Sequence, residues 1–119
     1  MADVSGPYIA MTFDDGPHPS NTPRLLEILR QRNIKATFYV VGTNAKRYPQ
    51  MLRQMVAEGH EIGNHSWSHP SLPSLSEAEI ETQIARTRDV LAPHADSMLL
   101  RPPYGDQSLA SWRVARRLG

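Results

Sequence analysis

The chain has 119 residues, of which 39% are hydrophobic and 21% charged, a composition typical of one globular domain. Its formal net charge is +1 and Lys and Arg are scattered, which gives no reason to expect nucleic acid or an acidic membrane as a partner. There is no cysteine, so disulfides and cysteine nucleophiles are excluded and a bound metal must be held by His, Asp or Glu. No apolar run is long enough to span a bilayer, and "MADVSGPYIA" lacks the pattern of a secretory signal, so localisation stays open.

The first half of the chain predicts two units, each a strand followed by a helix. The runs "YIAMTF" (8–13) and "ATFYVV" (36–41) are rich in strand formers and predict buried strands. Thr22 is predicted to cap the first helix, which reaches about Arg32. Its apolar stripe is formed by Leu25, Leu26, Ile28 and Leu29. Pro49 opens the second helix, which ends at Gly59. Its predicted buried face is formed by Leu52, Met55 and Val56.

Two further units are predicted in the second half. "HEIGNH" predicts a short third strand, and Ser76 with Glu79 matches the capping box of a helix. That helix carries the apolar residues Ile80, Ile84 and Leu91. "MLL" (98–100) predicts a fourth strand, after which Asp106 or Ser108 can cap a last helix. The apolar positions of this helix are Leu109, Trp112, Ala115 and Leu118, and Gly119 is its expected stop.

Apolar strands separated by helices predict a parallel sheet with helices packed outside it, in an open or barrel-like α/β architecture. Polar side chains follow three of these strands. They are Asp14 and Asp15 after the first strand, His65 and His69 after the third, and Arg101 and Tyr104 after the fourth. Because parallel α/β folds build their sites at the carboxyl ends of the strands, these six residues are expected to converge on one surface.

Each of these motifs has an ordinary explanation when it is taken alone. The segment "DDGP" suits a turn, the two His could be solvated, and "RPPYG" could be a rigid turn with a surface ion pair and core packing. Taken together, two imidazoles and one carboxylate form a three-ligand set that leaves coordination positions open, as in catalytic divalent metal sites. The neighbouring carboxylate can then serve as a general base that Arg101 holds ionised.

The motifs "TFDDGP", "HSWSH" and "RPPYG", in this order, resemble the first three motifs of the polysaccharide deacetylase family, which is carbohydrate esterase family four with its NodB-homology domain. Members of this family remove N- or O-acetyl groups from chitin-type, peptidoglycan or xylan polymers. The segments "ATFYVVGTNA" and "EGHEIGNH" match as well, so the resemblance covers nearly the whole chain. It implies a distorted (β/α) barrel, of which residues 1–119 would supply about the first four β/α units.

The resemblance also implies a role for each site residue. Asp14 would be the catalytic base, Arg101 the residue that tunes it, and the backbone amide of Tyr104 a donor to the oxyanion. The ligands of a divalent metal ion, taken as zinc with cobalt or nickel as alternatives, would be Asp15, His65 and His69. The implied substrate is an acetylated polysaccharide or oligosaccharide, and the implied location is secreted or cell-envelope, with the cytoplasm left open.

The family has further motifs after the third, including a tryptophan-bearing motif and a "Leu-x-His" motif that supplies the general acid. The sequence stops before either, so we expect a chain that lacks its C-terminal part. Neither His18, His60 nor His94 has a "Leu-x-His" context, and Trp112 is interpreted as core. The open edge would be covered by the missing half or by a homo-oligomer. The alternative function is a catalytically incomplete metal- or saccharide-binding fragment.

Overall fold

A three-stranded parallel sheet forms the centre of the computed structural model, which describes residues 11–95, 99–106 and 108–118. The strands are β1 (Met11–Asp14), β2 (Ala36–Val40) and β3 (Glu61–Asn64), in that order across the sheet. Both pairings are parallel. The predicted parallel sheet is therefore confirmed, while a closed barrel is not formed within the described part of the chain.

Helices connect the strands. They are α1 (Asn21–Gln31), α2 (Gly42–Arg47), α3 (Pro49–Ala57), α4 (Glu77–Leu91) and α5 (Leu109–Leu118), with short 3₁₀ turns at Leu72–Ser74 and Pro103–Gly105. The helix α2 was not predicted. It begins just after β2, and its six residues are too few to show a periodic apolar pattern. None of the helices in the described ranges has the length and apolar character that crossing a bilayer requires.

The main core lies between one face of the sheet and the helices. It is formed by Leu26, Leu29, Ala36, Phe38, Val40, Ala45, Leu52, Met55, Ile62 and Leu91. A second cluster joins α4 to α5 and consists of Leu72, Ile80, Ile84 and Val114. Each large apolar side chain buried in this way contributes about 1.5–3 kcal/mol. Because both strand pairings are parallel, the carboxyl ends of the three strands lie at one edge of the sheet.

The other face of the sheet is open within the described residues. Along β1, Met11 and Phe13 pack partly against the core, whereas Thr12 and Asp14 are exposed. The prediction of a strand buried on both faces was wrong for this part of β1, because no described layer covers its second face. Residues 8–10 of the predicted strand lie outside the described residues.

Several helix details differ from prediction. Thr22 does not cap α1, because Ser20 occupies that position and Thr22 lies buried in the first turn, where its Oγ1 accepts the His18 N–H at 2.8 Å. Ile28 and Val56 were predicted to be buried but are 49% and 40% exposed, since each points away from the sheet. In contrast, Gly59 follows α3 in the left-handed region (φ +85), as its predicted role as a helix stop requires.

The capping box that begins α4 is confirmed, with Ser76 Oγ accepting the Glu79 N–H and Glu79 Oε1 accepting the Ser76 N–H. The fourth strand is reduced to one parallel bridge between Leu100 and Asn64, and Met98 lies outside the described residues. Of the two predicted caps for α5, Ser108 accepts the Ser111 N–H at 3.1 Å.

The buried face of α5 was predicted only in part, since Ala115 and Leu118 pack against the second cluster as expected. Ser111 and Val114 are buried, whereas Leu109 is exposed and Trp112 is 47% exposed. Trp112 is therefore not a core residue, and the guanidinium of Arg116 lies 5.0 Å from the centre of its ring. The helix turns Val114 toward the α4 cluster, which places Trp112 on the solvent side. The expected stop at Gly119 lies outside the described residues.

Candidate metal and catalytic site

Three predicted ligands meet at the carboxyl edge of the sheet. The Nε2 atoms of His65 and His69 lie 3.2 and 3.1 Å from Oδ1 of Asp15. The potential ligand atoms of these three residues all lie within 4.8 Å of one another. The side chain of His65 is almost fully buried, and that of Asp15 is largely exposed. The cluster is therefore anchored on the protein side and open toward solvent.

Backbone contacts hold Asp15 in an unusual conformation. Its φ is 75°, in the left-handed region that few residues other than glycine adopt. Its N–H donates to the carbonyl of Tyr39 at 3.1 Å, which extends the β1–β2 pairing by one position. Its carbonyl accepts the side-chain amide of Asn44, on α2, at 2.9 Å. These two bonds direct the Asp15 carboxylate away from the strand and toward the histidines.

A carbonyl group fixes the orientation of the His65 ring. Nδ1 of His65 lies 2.6 Å from the backbone oxygen of Arg101, so that nitrogen carries the proton and donates it. Nε2 is then the nitrogen with a free lone pair, and it faces Asp15. Metal-binding histidines commonly have such an outer hydrogen bond, which sets the tautomer and the ring plane.

The loop that carries His69 is tied to α4 and β3. Gln83 accepts the backbone N–H groups of Trp67 and Ser68 at 2.9 and 3.0 Å. Ser66 Oγ accepts the N–H of His69 at 3.1 Å, and His69 itself has a φ of 63°. Two consecutive anchors thus hold the His69 backbone in a conformation that is rare for histidine, a kind of local strain that is concentrated at functional sites.

The donor set suits a divalent cation. An imidazole lone pair and a carboxylate oxygen are both acceptors, and at about 3 Å they repel unless a cation or a proton lies between them. Two imidazole nitrogens and a carboxylate oxygen are ligands that zinc and neighbouring transition metals accept, with further positions left for water or substrate. The arrangement of Asp15, His65 and His69 therefore fits the predicted metal.

A second acidic group lies beside this cluster. Arg101 Nη1 donates to Oδ1 of Asp14 at 2.8 Å and to the hydroxyl of Thr12 at 3.1 Å. Both side chains of the ion pair are about one-third exposed, so the pair is open to solvent on one side. A guanidinium at this distance binds a carboxylate oxygen through a charge-assisted hydrogen bond, which orients the carboxylate.

Tyr104 lies beside the cluster, in the 3₁₀ turn that follows the bridge at Leu100. Its ring lies edge-on to His69, with 4.8 Å between ring centres, and its side chain is 69% exposed. The alternative that Tyr104 packs in the core is therefore wrong. Its φ is 61°, which turns this segment sharply after Pro103. The predicted role of its backbone amide stays a prediction.

The other histidines differ in position. His18 lines a pocket of about 310 Å³ that also includes Asp14 and Asp15, and its Nδ1 accepts the N–H groups of Ser20 and Asn21. His60 lies at the opposite end of the sheet, where burial and then the charge of Lys35 lower its pKa. His94 follows α4.

Sequence reasoning missed the residues that support the site. Thr12, Asn44 and Gln83 each make contacts described above, but no role was predicted for any of them. Asn64 is a further example, because its side chain joins β3 to α4 from a fully internal position. The quoted segments "TFDDGP", "ATFYVVGTNA" and "EGHEIGNH" include Thr12, Asn44 and Asn64, but they did not identify these contacts, and Gln83 lies in none of them.

Comparison with known proteins places the chain among carbohydrate-active enzymes. The sequence model of the family described as Polysaccharide deacetylase matches residues 2–119. A peptidoglycan-N-acetylglucosamine deacetylase of Bacillus cereus is 45% identical over 109 residues, which cover 86% of this chain and 39% of that protein. The chain thus spans well under half the length of this relative.

Solved structures agree with the sequence comparison. A family 4 carbohydrate esterase from Streptomyces lividans, in complex with acetate, superimposes with a TM-score of 0.90 and 36% identity over 94% of this chain and 59% of that chain. A family 4 acetyl xylan esterase from Clostridium thermocellum, in complex with a cobalt ion, gives a TM-score of 0.83 and 40% identity over 88% of this chain and 53% of that chain. By its match to the family model over residues 2–119, the chain belongs to the polysaccharide deacetylase family.

Proposed function

We propose that this chain carries the metal ligands and the general base of a hydrolase that removes N-acetyl, or O-acetyl, groups from a polysaccharide or oligosaccharide. The observation that carries the proposal is the cluster of Asp15, His65 and His69, with the Asp14–Arg101 ion pair beside it. The similar proteins support this, since their names include a peptidoglycan-N-acetylglucosamine deacetylase and an acetyl xylan esterase. The substrate is accordingly peptidoglycan, a chitin-type oligomer or acetylated xylan.

The proposed ligands are Asp15, His65 and His69, and the proposed ion is zinc, with cobalt or nickel as alternatives. When bound there, a divalent ion supplies Lewis acidity toward a carbonyl oxygen and toward water. A cobalt ion in the acetyl xylan esterase structure supports a site of this type. The outer hydrogen bond of His65 to Arg101 keeps Nε2 available as a ligand atom.

Asp14 is assigned as the general base. Its Oδ1 is occupied by the guanidinium of Arg101, so Oδ2 is the oxygen that can take the proton from the attacking water. The oxygen of that water bonds to the acetyl carbon, the bond from this carbon to the sugar nitrogen or oxygen breaks, and that nitrogen or oxygen leaves with the proton taken up by Asp14 while acetate is released. Proton transfer of this kind contributes about 10²–10⁴-fold to rate. Arg101 limits the rotation of the Asp14 carboxylate.

Tyr104 is assigned two functions at the rim of the site. Its backbone amide would donate to the oxygen that becomes negatively charged as the acetyl carbon is attacked. Its exposed ring, edge-on to His69, would limit the freedom of that histidine and offer an apolar surface to the substrate. We also propose that residues 1–119 form part of a polysaccharide deacetylase domain with a distorted (β/α) barrel, which the TM-score of 0.90 supports.

The test is acetate release from N-acetylglucosamine oligomers and from peptidoglycan, with zinc or cobalt added and then with chelator. Asp14→Asn should lower the rate by about 10²–10⁴-fold while metal affinity stays near that of the unaltered protein. His69→Ala should reduce both. Asp89→Asn, an exposed carboxylate on α4, is the matched control and should change neither. Metal binding without any acetate release would overturn the proposal in favour of a binding function.

A further inference from the structure

An aromatic ring lies directly beneath the guanidinium of Arg101. The Cζ atom of Arg101 is 4.2 Å from the centre of the Tyr39 ring, well within the range of a cation–π contact. Tyr39 is on β2, the middle strand, and its side chain is on the open face of the sheet rather than in the core. The ring therefore supports Arg101 on the same side as the candidate site.

Strand register makes room for this ring. Tyr39 pairs with Asp14 on β1 and with Gly63 on β3, so the three positions form one row across the sheet. A Cβ atom at Gly63 would lie 2.6 Å from Cδ1 and Cε1 of Tyr39, closer than such atoms approach. The absence of a side chain at Gly63 is thus what allows the Tyr39 ring to occupy its position.

Arg101 has three contacts that together define where its guanidinium lies. Two are hydrogen bonds, to Asp14 at 2.8 Å and to the hydroxyl of Thr12 at 3.1 Å, and the third is the ring face. An exposed ion pair alone holds a long side chain weakly, because ordering it costs rotamer entropy and water screens the charges. A planar guanidinium that is stacked on an aromatic face loses much of that freedom in advance.

We propose that Tyr39 is a positioning residue for catalysis, acting through Arg101 on Asp14, and that Gly63 is required because it leaves space for the ring. The inference rests on the proposed function in one respect, that Asp14 is the base. Tyr39 contributes an aromatic face and not a hydroxyl group, so phenylalanine would serve equally well. Its loss would leave Asp14 less often in the productive orientation.

The first test compares Tyr39→Leu with Tyr39→Phe in acetate release. Leucine keeps apolar bulk but has no π face, and we expect kcat to fall by about three- to thirtyfold with KM changed less than about twofold. Phenylalanine should retain kcat within about twofold. Trp112→Leu is the matched control, because it removes an Arg–aromatic contact on α5 away from the site, and it should leave kcat unchanged.

The second test does not depend on activity. The side-chain N–H signals of Arg101, assigned by their loss in Arg101→Lys, should be shifted by the ring current of Tyr39. We expect this shift to disappear in Tyr39→Leu, to persist in Tyr39→Phe, and to be reduced in Gly63→Ala, whose methyl group must displace the ring.

The two readouts separate the inference from the proposed function. If the unaltered protein releases no acetate, the proposed function fails and the Arg101 signals alone decide whether Tyr39 positions the guanidinium. Signals that are the same in Tyr39→Leu and in the unaltered protein would overturn the inference, as would an unchanged kcat for Tyr39→Leu in an active enzyme. If Tyr39→Leu does not fold, the Arg101 signals of Gly63→Ala serve as the test, and signals unchanged from those of the unaltered protein would overturn the inference.

Discussion

Replacing Asn64 by alanine should weaken both the fold and the metal site, because this residue joins them. Asn64 is the last residue of β3 and is 6% exposed. Its Nδ2 donates to the carbonyl of Ile84 on α4 at 2.9 Å, and its Oδ1 accepts the N–H of Ser66 at 2.9 Å. Alanine removes both bonds and leaves the backbone that follows β3 without its internal partner.

The two lost bonds differ in cost. The carbonyl of Ile84 lies inside α4, where a helical N–H also reaches it, so its loss is at the low end of the range, about 1 kcal/mol. Ser66 is fully buried, and its N–H would have no acceptor, which costs about 2–3 kcal/mol. The expected loss in free energy of unfolding is therefore about 3–4 kcal/mol. At about 4 °C for each kcal/mol in a domain of this size, Tm should fall by about 12–16 °C.

Urea unfolding measures the free energy, and cobalt titration measures the site. Ser66 holds the His69 N–H through its hydroxyl, so a displaced Ser66 should lower cobalt affinity by about 10–100-fold, as loss of an outer hydrogen bond commonly does. Asn21→Ala, at an exposed position in α1, is the control and should change stability by less than about 0.5 kcal/mol. If Asn64→Ala loses no more stability than the control, the assigned cost of the two hydrogen bonds is wrong. If the variant is destabilised but binds cobalt with unaltered affinity, Asn64 does not connect the fold to the metal site.

Three further outcomes are expected. Zinc at about a hundred times its Kd should stabilise the fold by about 2.7 kcal/mol, and His69→Ala should remove most of this thermal shift, whereas an equal shift in the variant would place the ion elsewhere. Ser76→Ala should lower the free energy of unfolding by about 1 kcal/mol in urea titration, and no change would contradict a working capping box. Because burial and Lys35 lower the pKa of His60, the unfolded state binds more protons, and stability should be lost as pH falls below the ordinary value of 6.5. His60→Gln should flatten this dependence between about pH 7 and 5, and a slope identical to that of the unaltered protein would assign it to another group.

Local signals in the sequence were enough for several elements and for the site motifs. β2 lies within the short apolar run "ATFYVV", β3 lies within "HEIGNH" although Ile62 is its only large apolar residue, and the capping box of α4 is a pattern of two residues three positions apart. The six site residues lie at or within five residues of the carboxyl ends of strands, so parallel topology alone predicts that they share an edge. The structure brings Asp15 to both histidines and Asp14 to Arg101, as that reasoning expects.

Features that depend on neighbours distant in sequence were not predictable. The exposed side of β1 and the position of Trp112 are set by which faces other elements cover, and an apolar period cannot distinguish a covered face from an open one. The same holds for Gln83, which reaches the His69 loop from α4, and for the pairing of Tyr39 with Gly63. Each is an unremarkable residue in its own segment and acquires its role only through register or packing.

Arg101 shows why the proposed metal ligands and the proposed base should respond together to a change in the backbone. Its N–H donates to the carbonyl of Asn64 at 2.9 Å, and its own carbonyl orients His65 while its guanidinium binds Asp14. One residue therefore connects β3, the proposed metal ligand His65 and the proposed base Asp14 through three separate atoms. A shift of this segment by even a few tenths of an ångström would alter the His65 ring and the Asp14 carboxylate at once. Side-chain substitution of Arg101 alone leaves the carbonyl in place, so it should impair the base far more than it impairs metal binding.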